Sequence, residues 1–286
     1  MSTLNHKIDF AAVLWVKNAN PNGDPLNGNR PREDYDGFGE ISDVCLKRKI
    51  RNRLQDFGRE IFVQSDDRAD DGYKSLRERA EGYTELNKAE KAKDRELYAK
   101  LACEKWMDVR SFGQVFAFKN TKAGEGVSVG VRGPVSLHSA VSVAPVQISS
   151  IQITKSVNSE PGEKKSSDTM GTKHRVDYGM YCFCGSINTQ LASKTGFSDA
   201  DAELIYKALT TLFDNDVSSA RPDGSMVVRK VFWWEHNCAS GQYPSAKVHR
   251  SFGVSLKDGC DPKQIDSYEI KSSPLAGLSC KEYDGL

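Results

Sequence analysis

The chain has 286 residues, of which 28% are charged, and its formal net charge is only +1. This length can bury a substantial core in one large domain or two, and no apolar stretch approaches the roughly 20 residues of a membrane-spanning helix. A net charge near zero excludes a uniformly basic surface, so any nucleic-acid-binding surface must be local and offset by acid elsewhere. Residues 1–7 lack the apolar core of a signal peptide, so we expect a cytoplasmic protein that binds no membrane.

The first elements predicted along the chain are a strand, a glycine-rich turn and a basic helix. An apolar run predicts a strand over residues 8–16, and Asn-Pro-Asn-Gly-Asp-Pro predicts a turn over 20–25. A helix is predicted over 42–57, where Ser42 is placed to act as the N-cap and apolar residues recur at helical spacing. Residues 47–53 hold five cations and no acid, which is typical either of a phosphate-binding surface or of a solvated basic face.

The middle of the chain reads as an insertion of mixed elements. A short strand is predicted over 60–64, and the many helix formers over 87–106 predict an exposed peripheral helix. Apolar or alternating runs predict strands over 114–118 and 127–131. Residues 154–173 are rich in Ser, Lys, Gly and Thr, so they predict a mobile, hairpin-like loop.

A second set of regular elements follows this insertion. We predict a strand over 176–188, a helix over 199–213 and a strand over 226–234. The strand over 176–188 is apolar on both faces, so it should be central and its aromatic side chains should pack in the core rather than stack on bases. Together with the first three elements the order reads βαββαβ, which predicts an α+β fold with a split ferredoxin-like module of the kind found in RNA-recognition motifs.

Neither the cysteines nor the histidines form a sequence-local ligand motif. An odd count of seven cysteines argues against a disulfide framework in a reducing compartment. Cys182 and Cys184 share one face of a predicted strand, but no second Cys/His pair stands at zinc-finger spacing. We therefore expect buried, apolar cysteines, no metal site and no cofactor. The chain also contains no Gly-x-Ser-x-Gly, Walker or HExxH motif that would predict a catalytic site.

Several segments, taken in chain order, resemble one family of CRISPR proteins. They are residues 20–25, 30–32, 41–53, 112–116, 130–135, 149–157 and 174–181. In this order they resemble the repeat-associated mysterious protein (RAMP) superfamily and, within it, the backbone subunit of the type I-C Cascade complex, the Csd2 family. The resemblance covers nearly the whole chain.

The resemblance implies a hand-like division of the chain. Residues 1–64 and 176–237 would form a split RRM-like palm, and residues 65–150 a helical and strand insertion called the fingers. Residues 151–175 would form a protruding β-hairpin thumb, and residues 238–286 a C-terminal extension that packs on the palm.

The function implied by the resemblance is non-catalytic binding of CRISPR RNA. Copies of the subunit would stack head to tail along the guide, beside other Cascade subunits, and present the guide for pairing with target DNA in antiviral defence. One alternative is an endoribonuclease of the same superfamily, which would process CRISPR RNA with His138 or His174 as the general base. Related subunits cleave target RNA with a loop aspartate, for which Asp24, Asp34 and Asp36 are the candidates here. A further alternative is a plain multi-subunit scaffold that does not grip RNA.

The candidate RNA-contacting residues are cations and polar groups within the matching segments. Those implied for the palm and the fingers are Asn22, Arg30, Lys47, Arg48, Arg51 and Arg132. Those implied for the thumb are Lys155, Lys173 and Arg175, with Met170 as the residue expected to wedge between bases. The competing interpretation of Met170 is a side chain that packs into its own loop.

Overall fold

The structure is a computed structural model that describes residues 2–118, 128–154 and 170–285. Its strands are β1 (Ile8–Ala19), β2 (Gly23–Asp24), β3 (Arg30–Pro31), β4 (Phe38–Ile41), β5 (Gly113–Phe116), β6 (Val129–Arg132), β7 (Val135–Leu137), β8 (Ala140–Pro145), β9 (Ile148–Thr154), β10 (Met170–Ile187), β11 (Met226–Glu235), β12 (Phe252–Leu256), β13 (Tyr268–Ser272) and β14 (Ser279–Asp284). Its α-helices are α1 (Asp43–Asp56), α2 (Leu76–Glu81), α3 (Thr84–Lys91), α4 (Arg95–Lys105), α5 (Met107–Phe112), α6 (Thr189–Thr195), α7 (Asp199–Thr210) and α8 (Ser245–His249). Within the described ranges, no helix combines the length and the apolar character needed to cross a lipid bilayer.

An eight-stranded antiparallel sheet lies at the centre of the protein. Its main order is β14-β11-β1-β10-β8-β4, and β7 and β9 pair with β10 beside this path. Strand β1 pairs with both β10 and β11, and Tyr181 and Phe183 of β10 are buried in the core, as expected of a covered central strand. The mixed architecture with a large antiparallel sheet agrees with the predicted α+β class. The elements predicted over 8–16, 42–57, 114–118, 127–131, 176–188, 199–213 and 226–234 are confirmed by β1, α1, β5, β6, β10, α7 and β11.

The strand predicted over residues 60–64 is wrong, because this segment forms no strand. The backbone N–H groups of Phe62 and Val63 donate to the carboxylate of Asp108, at 2.7 and 3.1 Å, instead of to a neighbouring strand. Strand β8 occupies the position beside β10 in the sheet. The short apolar run therefore has its backbone donors satisfied by a side chain, which a sequence pattern does not reveal.

Both faces of the sheet are covered. On one face, Leu46 of α1 and Ile205 of α7 join the largest core cluster. On the other face, Trp15 of β1 packs against Tyr268 of β13, with ring centroids 5.8 Å apart, and Val248 of α8 packs in a neighbouring cluster. The sheet is thus buried between a helical layer and the C-terminal elements.

The helical insertion has a core of its own. Phe62 and Trp106 lie at its centre, with ring centroids 4.7 Å apart. The single exposed helix predicted over 87–106 is wrong, because a break at Lys93, where φ is 56°, separates α3 from α4, and each helix buries one side. Tyr98 lies two helical turns before Trp106 on the buried side of α4. This apolar stripe was present in the sequence but stood among many Lys and Glu residues.

The cysteines are more exposed than the sequence indicated. Cys238 and Cys260 lie in exposed loops after β11 and β12, so the expectation of burial is wrong for both. Cys103 is buried, and desolvation raises its pKa to about 11. Desolvation likewise raises the pKa of Cys182 and that of Cys184 to about 12.

These environments predict an order of thiol reactivity. A raised pKa lowers the fraction of thiolate, which is the reactive form, and burial restricts access. We expect N-ethylmaleimide near neutral pH to label Cys238 and Cys260 first, and Cys103, Cys182 and Cys184 only after denaturation. Mass spectrometry of quenched time points measures the order. Labelling of Cys182 in the folded protein as fast as that of Cys238 would contradict it.

Candidate nucleic-acid interface

The glycine-rich turn is held against the start of α1. The Oδ1 of Asn22 accepts hydrogen bonds from the N–H of Ser42 at 2.9 Å and from its hydroxyl at 2.8 Å. Ser42 is the predicted N-cap, since its Oγ accepts a bond from the N–H of Cys45. In the β2–β3 ribbon, a Cβ on Gly23 would overlap the side chain of Asn29, so this close approach requires glycine. The turn therefore lies beside the positive end of the α1 dipole.

The hairpin formed by β9 and the first part of β10 projects beyond the sheet. Among the described strands, β9 is the one that pairs with residues 170–175. Arg30 of β3 joins this hairpin to the turn, because its Nη1 donates to the Oγ of Ser150 at 3.1 Å, and that Oγ lies 2.8 Å from the Nδ1 of His174. Of the loop predicted over 154–173, residues 155–169 lie outside the described residues, and residues 170–173 belong to β10.

Strand register divides this hairpin into two faces, because paired residues point to the same side of a sheet and successive residues alternate. One side, which we call the Arg30 face, comprises Ser150, Gln152, Thr154, Met170, Thr172 and His174. The other side, which we call the isoleucine face, comprises Ser149, Ile151, Ile153, Gly171, Lys173 and Arg175. Met170 and Lys173, two of the predicted RNA contacts, therefore point to opposite sides of the ribbon.

The five cations of the basic helix all have partners inside the protein. Lys47 pairs with Asp43, Arg48 donates to the carbonyl of Val63, Lys49 pairs with Asp216, Arg51 pairs with Asp108, and Arg53 pairs with Asp56. Desolvation lowers the pKa of Lys49 and that of Arg48. The pair of Lys47 with Asp43 is more exposed, and an exposed i,i+4 pair contributes only about 0–1 kcal/mol, so an anionic ligand can replace Asp43 at little cost.

The other predicted cations are not gathered in one patch. Arg132 is exposed in the β5–β6 ribbon, which is separate from the main sheet. Lys155 lies outside the described residues. The Nε of Arg175 is 3.8 Å from Asp177 and has no hydrogen-bond acceptor within the described part of the chain. The ammonium group of Lys173 likewise has no partner among those residues.

Two of the three acidic residues suspected of RNA cleavage, Asp24 and Asp34, are used by their own turns. The Oδ1 of Asp24 accepts a bond from the N–H of Leu26 at 3.1 Å. The Oδ1 of Asp34 accepts bonds from the N–H groups of Asp36 and Phe38 at 3.0 and 2.9 Å. Over residues 2–118, 128–154 and 170–285, no group of three or more Cys, His, Asp or Glu has the geometry of a metal site.

The two suspected histidine bases lie at different ends of β10. The N–H of His138 donates to the carbonyl of Cys184 at 2.9 Å, and its ring packs edge-on against His249. His174 is in the projecting hairpin, where a serine hydroxyl separates it from Arg30. His174 therefore adjoins the candidate interface, and His138 does not.

Sequence reasoning missed two fully exposed apolar side chains near this interface. Leu26 stands on the turn that follows β2, and Tyr35 stands on the turn between β3 and β4. The available signal was the segment Asp34-Tyr35-Asp36-Gly37, whose turn composition leaves its central side chain no element to pack against. Both side chains are therefore free to contact another molecule.

Comparison with known proteins identifies the family. A model of the family described as CRISPR-associated protein Cas7 matches residues 6–273. The chain belongs to this family. The resemblance noted in the sequence is thereby confirmed at the level of the Cas7 family, while the I-C subtype stays a prediction.

Individual relatives show the extent of the similarity. The CRISPR-associated protein Cas7 of Haloferax volcanii is 29% identical over 227 residues, which make up 73% of this chain and 65% of that relative. The chain therefore spans less than two thirds of the length of this curated member of the Cas7 family. Two solved structures, described as "CRISPR RNA-guided surveillance complex, pre-nicking" and "CRISPR RNA-guided surveillance complex", have TM-scores of 0.47 at 17% and 15% identity. These similarities cover 80% of this chain, and 78% and 68% of the respective structures.

Charge reversal separates the structural cations of α1 from the exchangeable one. Arg51→Glu would place a second acid against the fully buried Asp108, so we expect a loss of about 3–5 kcal/mol in the free energy of unfolding. Lys47→Glu removes only an exposed pair, so we expect a change of about 0–1 kcal/mol. Urea unfolding followed by circular dichroism measures both. Equal losses of unfolding free energy in the two variants would show that burial does not distinguish the Arg51–Asp108 pair from the Lys47–Asp43 pair.

Proposed function

We propose that the protein is a non-catalytic backbone subunit of a type I-C Cascade complex and binds CRISPR RNA in the cytoplasm. The feature that supports this function most directly is the projecting hairpin, whose root is joined by Arg30 to the glycine-rich turn and the start of α1. Membership of the Cas7 family supports the same role. Copies assemble head to tail on the guide, beside other Cascade subunits, and target DNA pairs with the guide.

The guide is held through its phosphates and sugars, because sequence specificity is left to base pairing. Arg30 in β3 and Lys47 in α1 supply cations, and the first N–H groups of α1 supply donors at the positive end of the helix. Asn22 positions these donors through Ser42, and its Nδ2 makes only a long 3.4 Å contact with the carbonyl of Gly23. That amide therefore keeps a donor for an RNA oxygen.

Two cations of α1 act differently in this role. Arg48 donates to the carbonyl of Val63 through Nη1, which leaves its other N–H groups for a phosphate. Arg51 is held by Asp108, so it positions α1 and does not touch RNA. The candidate RNA contacts that remain are Arg132, Lys155 and Arg175.

Met170 is the proposed wedge between bases. Its side chain is 56% exposed on the Arg30 face, and the Nε2 of Gln152 lies 3.2 Å from its sulfur. An unbranched thioether can adapt to the space between two unstacked bases. Because Arg30 and His174 share this face, the wedge and the phosphate contacts would meet the same strand of RNA.

The central sheet is the proposed split palm. Strands β11 and β10 flank β1, with α1 and α7 on one face, as the fourth and third strands flank the first in a ferredoxin-like module. In this view residues 1–64 and 176–237 are the palm, 65–150 are the fingers and 151–175 are the thumb. Residues 238–286 are the extension that covers the second face.

A second candidate function is metal-independent RNA cleavage at His174. Its ring nitrogen lies 2.8 Å from the hydroxyl of Ser150, and Arg30 binds the same hydroxyl. Such a reaction needs at least a general base, here His174, and a nearby cation, here Arg30. Incubation of the protein with a labelled CRISPR repeat RNA, with His174→Ala as the comparison, tests it. Products that the wild type forms and the variant does not would favour cleavage over binding alone.

The binding function predicts a uniform loss of affinity when phosphate contacts are removed. Arg30→Glu and Lys47→Glu should each weaken binding to two unrelated single-stranded RNAs by the same factor. Each should also reduce the slope of log K against log salt by roughly 0.7. Fluorescence anisotropy across a salt series measures both quantities. Lys100→Glu is the matched control, since Lys100 is 72% exposed on α4, its ion pair is a long, exposed one with Glu104 at 3.9 Å, and no RNA contact is proposed for it.

The purified wild type should also carry uncut RNA, visible as a raised absorbance ratio and on a denaturing gel. Loss of affinity for only one of the two RNA sequences would contradict binding through the phosphates. Unchanged affinity in both variants would favour the alternative in which the protein is a scaffold that does not grip RNA.

A further inference from the structure

The outer part of the isoleucine face is apolar, and no other described residue covers it. Ile151 and Ile153 are 41% and 50% exposed, and Ile153 faces Gly171 across the ribbon. A Cβ at position 171 would touch the Ile153 side chain at 3.6 Å, so glycine leaves a shallow notch beside it. A two-stranded ribbon is only marginally stable in water by itself, and an apolar face on it is a surface that another molecule covers.

The chemistry of this face suits a protein better than a nucleic acid. Stacking on bases uses aromatic rings or guanidinium planes, which Ile151 and Ile153 at the outer part of this face lack. The face also points away from Arg30, because Ser150 and His174 lie on the opposite side of the ribbon. Two cations lie on this face. Lys173 is across from Ile151 in the register and has no partner among the described residues, and Arg175 lies nearer the root of the ribbon, with its Nε 3.8 Å from Asp177. A complementary surface therefore has an apolar centre and acidic surroundings.

The chain carries such a surface on the turn between β3 and β4. Tyr35 is fully exposed there. Its acidic neighbours are Glu33, Asp34 and Asp36. The turn is held by local hydrogen bonds, since the Oδ1 of Asp34 accepts two backbone hydrogen bonds and the N–H of Gly37 donates to the carbonyl of Asp34 at 3.1 Å. An aromatic side chain on a rigid support loses little conformational entropy when it is buried by a partner.

This turn belongs to the Arg30 side of its own hairpin. Arg30 donates to Ser150, and its Nε lies 3.8 Å from Glu33. The isoleucine face of the same molecule is on the far side of the ribbon. A second copy must therefore supply the tyrosine that covers it.

We propose that Tyr35 of one copy packs on Ile151 and Ile153 of the next copy, in the notch at Gly171, with Lys173 facing Asp34 and Asp36. The contact, which rests on the proposed function, joins two different patches and is therefore heterologous. Each copy in a pair keeps one patch open, so the contact extends into an open row rather than a closed dimer. The outer part of the hairpin then has separate partners on its two sides, with RNA on the Arg30 face and protein over Ile151 and Ile153, while Arg175 lies nearer the root of the ribbon.

Photo-crosslinking distinguishes the two partners directly. The full-length protein is prepared with p-benzoylphenylalanine in place of Ile153 or, for comparison, in place of Met170, and is irradiated with and without single-stranded RNA. From position 153 we expect a product between two copies, with the crosslinked peptide containing residue 35. A product with RNA from position 153, or a protein product that maps elsewhere, would overturn the proposal. Absence of any protein product while rows assemble would also overturn it.

Substitutions test the same contact through assembly. Tyr35→Ala should raise the protein concentration needed for half-maximal row formation by about tenfold or more, as expected for loss of a central aromatic residue. Leu26→Ala is the matched control, because Leu26 is as exposed on the neighbouring turn and no contact is assigned to it. Lys173→Glu should weaken assembly, and Asp36→Lys added to it should restore part of the loss. Equal effects of Tyr35→Ala and Leu26→Ala would contradict the contact.

Affinity for an RNA long enough for one copy separates this contact from RNA binding itself. Tyr35→Ala should leave that affinity unchanged while it weakens assembly on long RNA. If the wild type bound no RNA, the proposed function would fail. The crosslink between copies at high protein concentration would still decide whether the contact exists.

Discussion

The carboxylate of Asp108 joins the two cores of the protein. It is fully buried, and it accepts hydrogen bonds from Arg51 of α1 at 2.9 Å and from the backbone of Phe62 and Val63, which begin the helical insertion. A charge in this environment is tolerated only with such partners, because removing one leaves an uncompensated buried ion. The insertion is therefore held at a defined position on α1. The glycine-rich turn bonded to Ser42 and the hairpin bonded to Arg30 depend on α1 being placed in this way.

The same helix shows why a basic run is not the same as a basic surface. Lys49 pairs with Asp216, in the segment between α7 and β11, and desolvation lowers the pKa of Lys49. Arg53 likewise pairs with Asp56 and donates to Thr211 just after α7. These contacts hold α1 against the helical layer while its apolar side packs on the sheet. Lys47, at the first turns of the helix, is left as the cation with a readily exchangeable partner, and it is the one nearest in sequence to the Ser42 cap.

Periodicity was sufficient for the elements whose backbone bonds are local or follow a sheet ladder. The strands β1, β10 and β11 and the helices α1 and α7 were predictable because apolar residues recur at the period of the element that buries them. The segment over 60–64 was not, because its donors are satisfied by a side chain 46 residues away in sequence. Acidic partners that are distant in sequence also determine which α1 cations are held inside the protein. The sequence pointed to Asn22, Ser42 and Arg30, which the structure places at the turn and the start of α1. It did not reveal that Arg51 is paired with Asp108, which is distant in sequence.

The projecting hairpin shows how one short ribbon can serve two partners. Because side chains alternate between faces, Met170 and Lys173 stand an odd number of residues apart and cannot meet one surface while the strand stays regular. The two residues are close in the sequence, but the alternation of side chains along the strand puts them on opposite faces of the ribbon. The register therefore separates the polar face, anchored by Arg30, from the face with Ile151 and Ile153. A shift of the register by one residue would exchange the two faces, so the pairing of Val176 with both β1 and β9 at the root of the ribbon determines which side chains each side presents.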